Sequence, residues 1–143
     1  MPPFGDSTAY NSRLLDLTAR VACAVTVGAS PSAAAETVIG TLNCSTGLTF
    51  GLGMIIQGWC TITIGGSGTS IRLRVRQTNI SGAVVADSGV VTAGIVAGNV
   101  TTQDAGGLDT APPAGGVYVL TALVGAAVSG STVGALQIFA IAV

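Results

Sequence analysis

The sequence predicts an all-β domain, an antiparallel β-sandwich or jelly roll of about eight short strands. Three observations carry that expectation. Apolar residues recur at every second position in several segments, turn signals rich in Gly, Ser and Asn interrupt the chain about every 8 to 12 residues, and no apolar repeat of helical period outlasts a single turn.

With 143 residues the chain is long enough for one domain with a real core. Its composition is 49% hydrophobic with 21 Gly, and only 8% of residues are charged against about 25% in an average protein. Ser, Thr, Gly and Ala must therefore cover much of the surface. Five Arg against six acids give a net charge of -1, with neither His nor Lys present. No global field exists to hold nucleic acid or an anionic membrane, so neither is an expected partner. Near-zero net charge and a mean hydropathy of +0.72 favour association, and much of this surface is expected to meet protein.

Residues 1–17 differ from the rest and read as an extended N-terminal arm: Pro2, Pro3, Gly5 and Asn11 disfavour regular structure, and three of the charges, Asp6, Arg13 and Asp16, fall here. Residues 18–143 form the expected sandwich domain. The arm lacks the basic start and continuous apolar run of a secretory signal. Residues 37–70 and 110–143 carry no charge, but a membrane helix in the second stretch would have to include residues 125–132, GAAVSGST, which read as a turn.

The elements follow in order. Residues 18–27 read as one strand with Val21, Cys23, Val25 and Val27 on one face, residues 28–35 as a loop, and residues 36–42 as a short strand. Residues 54–64 are rich in β-branched and aromatic side chains, and Gly58 among them suggests a bulge or a close backbone approach. After a turn at 65–70 comes the cleanest alternation, residues 71–77, which puts Ile71, Leu73 and Val75 inward and Arg72, Arg74 and Arg76 outward. Short strands are expected over 83–87, 89–96 and 99–102. Residues 103–116, QDAGGLDTAPPAGG, read as the longest structureless loop, and residues 117–124 and 133–143 as a closing strand pair.

Without His or Lys the usual bases for activating Ser or Cys are missing, so an enzyme is not expected. Asp104 and Asp109 share one expected loop, where they read as solvated carboxylates; a catalytic pair or a weak calcium site is the sharper alternative. The glycines at 65–70 open a strand rather than a helix and have no following Lys, so no phosphate loop, cofactor site or metal site is expected. Cys23, Cys44 and Cys60 lack zinc-site spacing and read as small buried hydrophobes, with a single Cys23–Cys60 or Cys44–Cys60 bridge as the alternative. Asn43, Asn79 and Asn99 begin chance matches to the glycosylation pattern. Trp59 and Tyr118 read as core aromatics capping the sandwich, with an interface anchor as the alternative. Arg72, Arg74 and Arg76 form a basic ladder that either meets carboxylates of a partner or neighbouring subunit or simply keeps one sheet face wet.

Residues 71–87, IRLRVRQTNISGAVVAD, resemble the Arg-alternating strand, short turn and S-G-x-V-V segment of small TNF-like jelly rolls in tailed-bacteriophage particles. Residues 118–121 and 135–143 are similar to their closing hairpin. The resemblance implies a TNF-like jelly roll and a structural virion protein, a head decoration or cement protein. Such a homotrimer would sit on the outer capsid surface, clamp neighbouring capsomers of the major capsid protein and stabilise the capsid, after synthesis in the host cytoplasm. Pro2, Pro3, Phe4 and Arg13 in the arm, with Arg72, Arg74 and Arg76, are the expected contact residues. The chain departs from such a partner-binding protein in having no marked acidic or basic face. The alternatives are a trimeric receptor-binding fibre-tip module, which would bring an upstream shaft that this sequence is expected to lack, and a self-assembling coat subunit.

Overall fold

Strict alternation makes residues 71–77 a strand with one greasy and one charged face, because successive side chains of an extended backbone point to opposite sides. In the computed structural model Ile71, Leu73 and Val75 are fully buried while the three arginines point away from the core. The structure describes residues 21–22, 25–28, 30–31, 35–44, 53–66, 70–92, 95–125 and 131–142. The expected arm, residues 1–17, lies outside the described residues.

All regular structure among the described residues is β. Nine strands occur: β1 (Val21–Ala22), β2 (Val25–Val27), β3 (Thr37–Asn43), β4 (Met54–Thr63), β5 (Ile71–Gln77), β6 (Val84–Asp87), β7 (Val100–Asp109), β8 (Val117–Val124) and β9 (Thr132–Ala142). They form a four-stranded sheet in the order β1-β9-β4-β7 and a five-stranded sheet in the order β2-β3-β8-β5-β6, with every pairing antiparallel. Ile56, Cys60, Ile62 and Ile138 of the first sheet and Ile39, Leu73, Leu120 and Ala122 of the second belong to one buried cluster, as the expected sandwich requires. Gly40 and Gly58 let the layers come close: a Cβ on Gly40 would stand 2.8 Å from Leu136 Cδ2, and one on Gly58 2.8 Å from Leu120 Cδ1. The signal at Gly58 is therefore a close approach, and the irregularity of β4 falls between Cys60 and Ile62 instead.

The order is nested. Setting aside β2, which pairs only with β3, the first strand pairs with the last, β3 with β8, β4 with β7 and β5 with β6.

Four expectations are corrected. Residues 18–27 do not make one strand: β1 pairs with β9 in one sheet and β2 with β3 in the other. Switching sheets gives both of those edges a partner, which a single strand could not do. The described residues of 89–96 contribute the bridge Val91–Ile71 rather than a strand. Residues 103–109 are not loop but most of β7, paired residue for residue with β4 from Met54–Asp109 to Thr63–Val100. Of the glycines that signalled a turn, Gly107 is needed for space, because a Cβ there would stand 2.5 Å from the Val85 carbonyl oxygen of β6. Trp59 is not in the core; it is half-buried on the outer face of the four-stranded sheet, whereas Tyr118 is fully buried as expected. No helix among the described residues is long and apolar enough to cross a membrane.

Candidate functional site

Arginines at every second position of β5 stand about 7 Å apart along one face of the five-stranded sheet. Long cationic side chains at that spacing need counter-charges, and the neighbouring strands supply them. Glu36 directly precedes β3, so its carboxylate reaches over β8 towards β5. Arg76 donates to it through Nε (2.8 Å to Oε1) and Nη2 (2.8 Å to Oε2), Arg74 donates through Nη1 (3.1 Å to Oε2), and the Thr121 hydroxyl of β8 donates to Oε1. Asp87, at the end of β6, takes the other side. Arg72 Nε donates to Oδ1 at 2.9 Å and its Nη2 to Oδ2, Arg74 Nε donates to Oδ2 at 3.1 Å, and the Gly89 amide donates to Oδ1 at 2.8 Å. Arg76 Nη1 also donates to the Gly82 carbonyl at 3.0 Å.

Three guanidiniums thus share two carboxylates in a ladder of paired, fork-shaped hydrogen bonds. The Arg76 hydrogen bonds hold the Glu36 carboxyl down at about 2 against the penalty of its partial burial. Those from Arg72 hold Asp87 well below the usual carboxylate range. Both acids stay charged at neutral pH and neither is poised to move a proton there. Beneath them Thr121 and Val119 of β8 are buried although they face outward, because the ladder lies over them.

A second polar group sits at the other end of β5. Asp109, the buried last residue of β7, accepts from the Tyr118 hydroxyl at 2.9 Å, Gln77 Nε2 at 2.7 Å and the Ala111 amide at 3.0 Å. Burial, then the hydrogen bond to this carboxylate, pushes the Tyr118 phenol far above its ordinary range. The group pins residues 110–116 to the sandwich. Asp104 sits five residues earlier on the same strand and therefore on the opposite face, exposed on the outside of the four-stranded sheet. The two aspartates never meet, which corrects the expectation of a shared loop and removes the basis for a carboxylate pair or calcium site. Among the described residues no group of three His, Cys, Asp or Glu side chains could hold a metal ion.

The outer face of the four-stranded sheet has the opposite character. Pairing puts Ile55 of β4 between Leu108 of β7 and Ile141 of β9, Gln57 between Gly106 and Phe139, and Trp59 between Asp104 and Gln137. Leu108 is 53% and Ile55 42% exposed. The Trp59 indole donates to Gln137 Oε1 at 2.8 Å, which fixes the ring against the sheet. Asp104 is the only charged side chain that the described residues place on this face.

Cys44 and Cys60 are buried thiols, so the Cys44–Cys60 bridge is not formed. Burial pushes the Cys60 thiol up to about 12. Cys23 lies outside the described residues. Of the residues expected to bind a partner, Arg72, Arg74 and Arg76 come together in the ladder, while Pro2, Pro3, Phe4 and Arg13 lie outside the described residues. The carboxylates that complete the ladder were not singled out from sequence. Asp87 closes the hairpin that begins at β5, a local signal, whereas Glu36 is remote in sequence. No protein family, curated protein or solved structure matches this chain.

Proposed function

We propose that the chain is a structural protein of a virion surface: a capsid decoration protein of TNF-like jelly-roll type that binds the outer face of a bacteriophage head as a homotrimer and clamps neighbouring capsomers. The nested strand order supports the jelly-roll reading, since pairing first with last and so on inward is what a long hairpin gives when rolled into two sheets. The observation that carries the functional reading is the ladder. It consumes all three arginines of the described residues within the chain, leaving the surface of the described residues almost without free charge, suited to protein contact rather than to nucleic acid or proton transfer. Clamping then works by multivalency, each trimer engaging several capsomers at once.

Sedimentation equilibrium of the purified chain tests the reading. Three copies of 13.9 kDa give a species of about 42 kDa, which is expected to co-sediment with phage heads assembled without it. A species that remains monomeric and does not bind such heads overturns the proposal. Filaments or closed shells formed by the protein alone would replace it with the coat-subunit reading.

A further inference from the structure

Among the described residues β1 and β7 border one sheet, and β2 and β6 border the other. β1 and β2 are two and three residues long, and β6 has four and ends in Asp87 of the ladder. β7 runs for ten residues in unbroken register with β4 and holds no Pro, Lys or Arg. Short length, proline and cationic side chains are what ordinarily keep an edge strand from pairing with another chain. None of these protects β7.

Ile64 fixes which backbone groups point outward. Its amide donates to the Asn99 carbonyl at 2.9 Å, and its own carbonyl accepts from the Gly98 amide at 2.7 Å. Backbone groups alternate sides along a strand, and the register continues through Ile62–Thr101 and Cys60–Gln103, so the odd-numbered residues of β7 bond to β4. Val100, Thr102, Asp104, Gly106 and Leu108 turn their amides and carbonyls to the outer edge, where no backbone group of the described residues meets them. The same five residues are exposed on the outer face of the sheet. Val100 and Leu108 stand four residues either side of Asp104, which has no ion-pair partner among the described residues.

We propose that the outer edge of β7 takes up an extended strand of another protein, with a lysine or arginine of that strand against Asp104 and apolar side chains against Val100 and Leu108. An added strand satisfies the outward amides and carbonyls, and its alternate side chains confer the selectivity. Opposite charges facing each other across two strands stabilise the pair, and like charges destabilise it. A second copy's β7 would bring another aspartate and no cation, and the arginines of β5 are held by Glu36 and Asp87. The arrangement is symmetric about Asp104, so a parallel and an antiparallel strand meet the same three side chains. The inference concerns this edge and stands whether or not the protein decorates a capsid.

Hydrogen exchange of the full chain, read amide by amide by NMR, tests it. In the free chain the five outward amides exchange fast and the odd-numbered amides of β7 slowly. The probe is the capped peptide Val-Ser-Thr-Ser-Lys-Ser-Thr-Ser-Val, matched in length to residues 100–108. It is expected to slow the five outward amides about tenfold once about nine-tenths of the chain is bound, and to leave the others unchanged. The same peptide with Glu in place of Lys leaves the outward amides fast, and Asp104→Lys reverses that preference. Thr102→Pro removes one outward amide without touching the pairing to β4, and abolishes the slowing. Should a variant fail to fold, the two peptides against the parent chain still decide. Outward amides already slow in the dilute free chain overturn the proposal, as does an absence of slowing up to about 5 mM peptide or equal slowing by both peptides. Protection that grows with the concentration of the chain alone, in step with the sedimenting mass, also overturns it, because a second copy is then the added strand.

Discussion

Glu36 lies outside the strand it introduces, yet its carboxylate collects donors from β5 and β8. Replacing it with Gln keeps the shape but leaves Arg76 without a charged acceptor and Arg74 with Asp87 alone, and should cost about 1–3 kcal/mol in urea or thermal unfolding. The same residue sets an acid response. Its carboxyl titrates near 4.5 when unfolded and about 2 when folded, so its stabilisation is complete above about pH 4.5 and is lost as the pH falls through about 2. Stability should be flat from pH 7 to 5 and then fall by about 1–2 kcal/mol from this group, a partial figure because the side chain retains some solvent contact. Glu36→Gln should flatten that acid slope, leaving the part due to Asp87. Cys60, buried with its thiol pushed up to about 12, should resist alkylation at pH 8 until the protein unfolds; labelling in native buffer within minutes would contradict this. At this scale the sequence revealed which residues of β5 face out, because alternation is a local property. It did not reveal their counter-charges, because Glu36 arrives through two intervening strand pairings.

The turn between β5 and β6 is tightly constrained. Thr78 has a φ of 63°, a left-handed conformation that a β-branched residue adopts at a cost, and a Cβ on Gly82 would stand 1.7 Å from the Gln77 carbonyl oxygen. Thr78→Gly or Thr78→Asn should therefore stabilise by up to about 1 kcal/mol, and Gly82→Ala should destabilise by about 2 kcal/mol or more, both read from urea midpoints. A loss of stability in Thr78→Gly would mean that the threonine side chain contributes more than its backbone costs. Elements with strong alternation or continuous β-branched runs, β4, β5, β8 and β9, were legible in the sequence to within a residue or two. The strand β7 was legible only at its start, within the short strand expected over 99–102; beyond it Gly106, Gly107 and two aspartates are turn signals in isolation and become strand residues only beside the ten positions of β4. The change of sheet between β1 and β2 was not legible, because it depends on which edges lie open.

The two sheets interlock through side chains such as Leu120, which lies against Gly58 of the opposite layer. Leu120→Ala should cost about 2–5 kcal/mol, and Trp59 fluorescence and far-ultraviolet dichroism should still report one coincident transition, since neither sheet has a core without the other. Separate transitions would mean that the sheets fold independently. The sandwich class followed from composition and period, but the strand order did not, because alternation says which face a residue takes and nothing about its neighbour. That order bears on how the protein comes to be made. In the four-stranded sheet β9 lies between β1 and β4, so two strands synthesised early are joined only through the one synthesised last among the described residues. A nascent chain emerging from the ribosome can close β5 on β6, but it holds β1 and β4 unjoined until β9 arrives. Folding should then be slow for the size of the sandwich, as long-range strand pairing generally is.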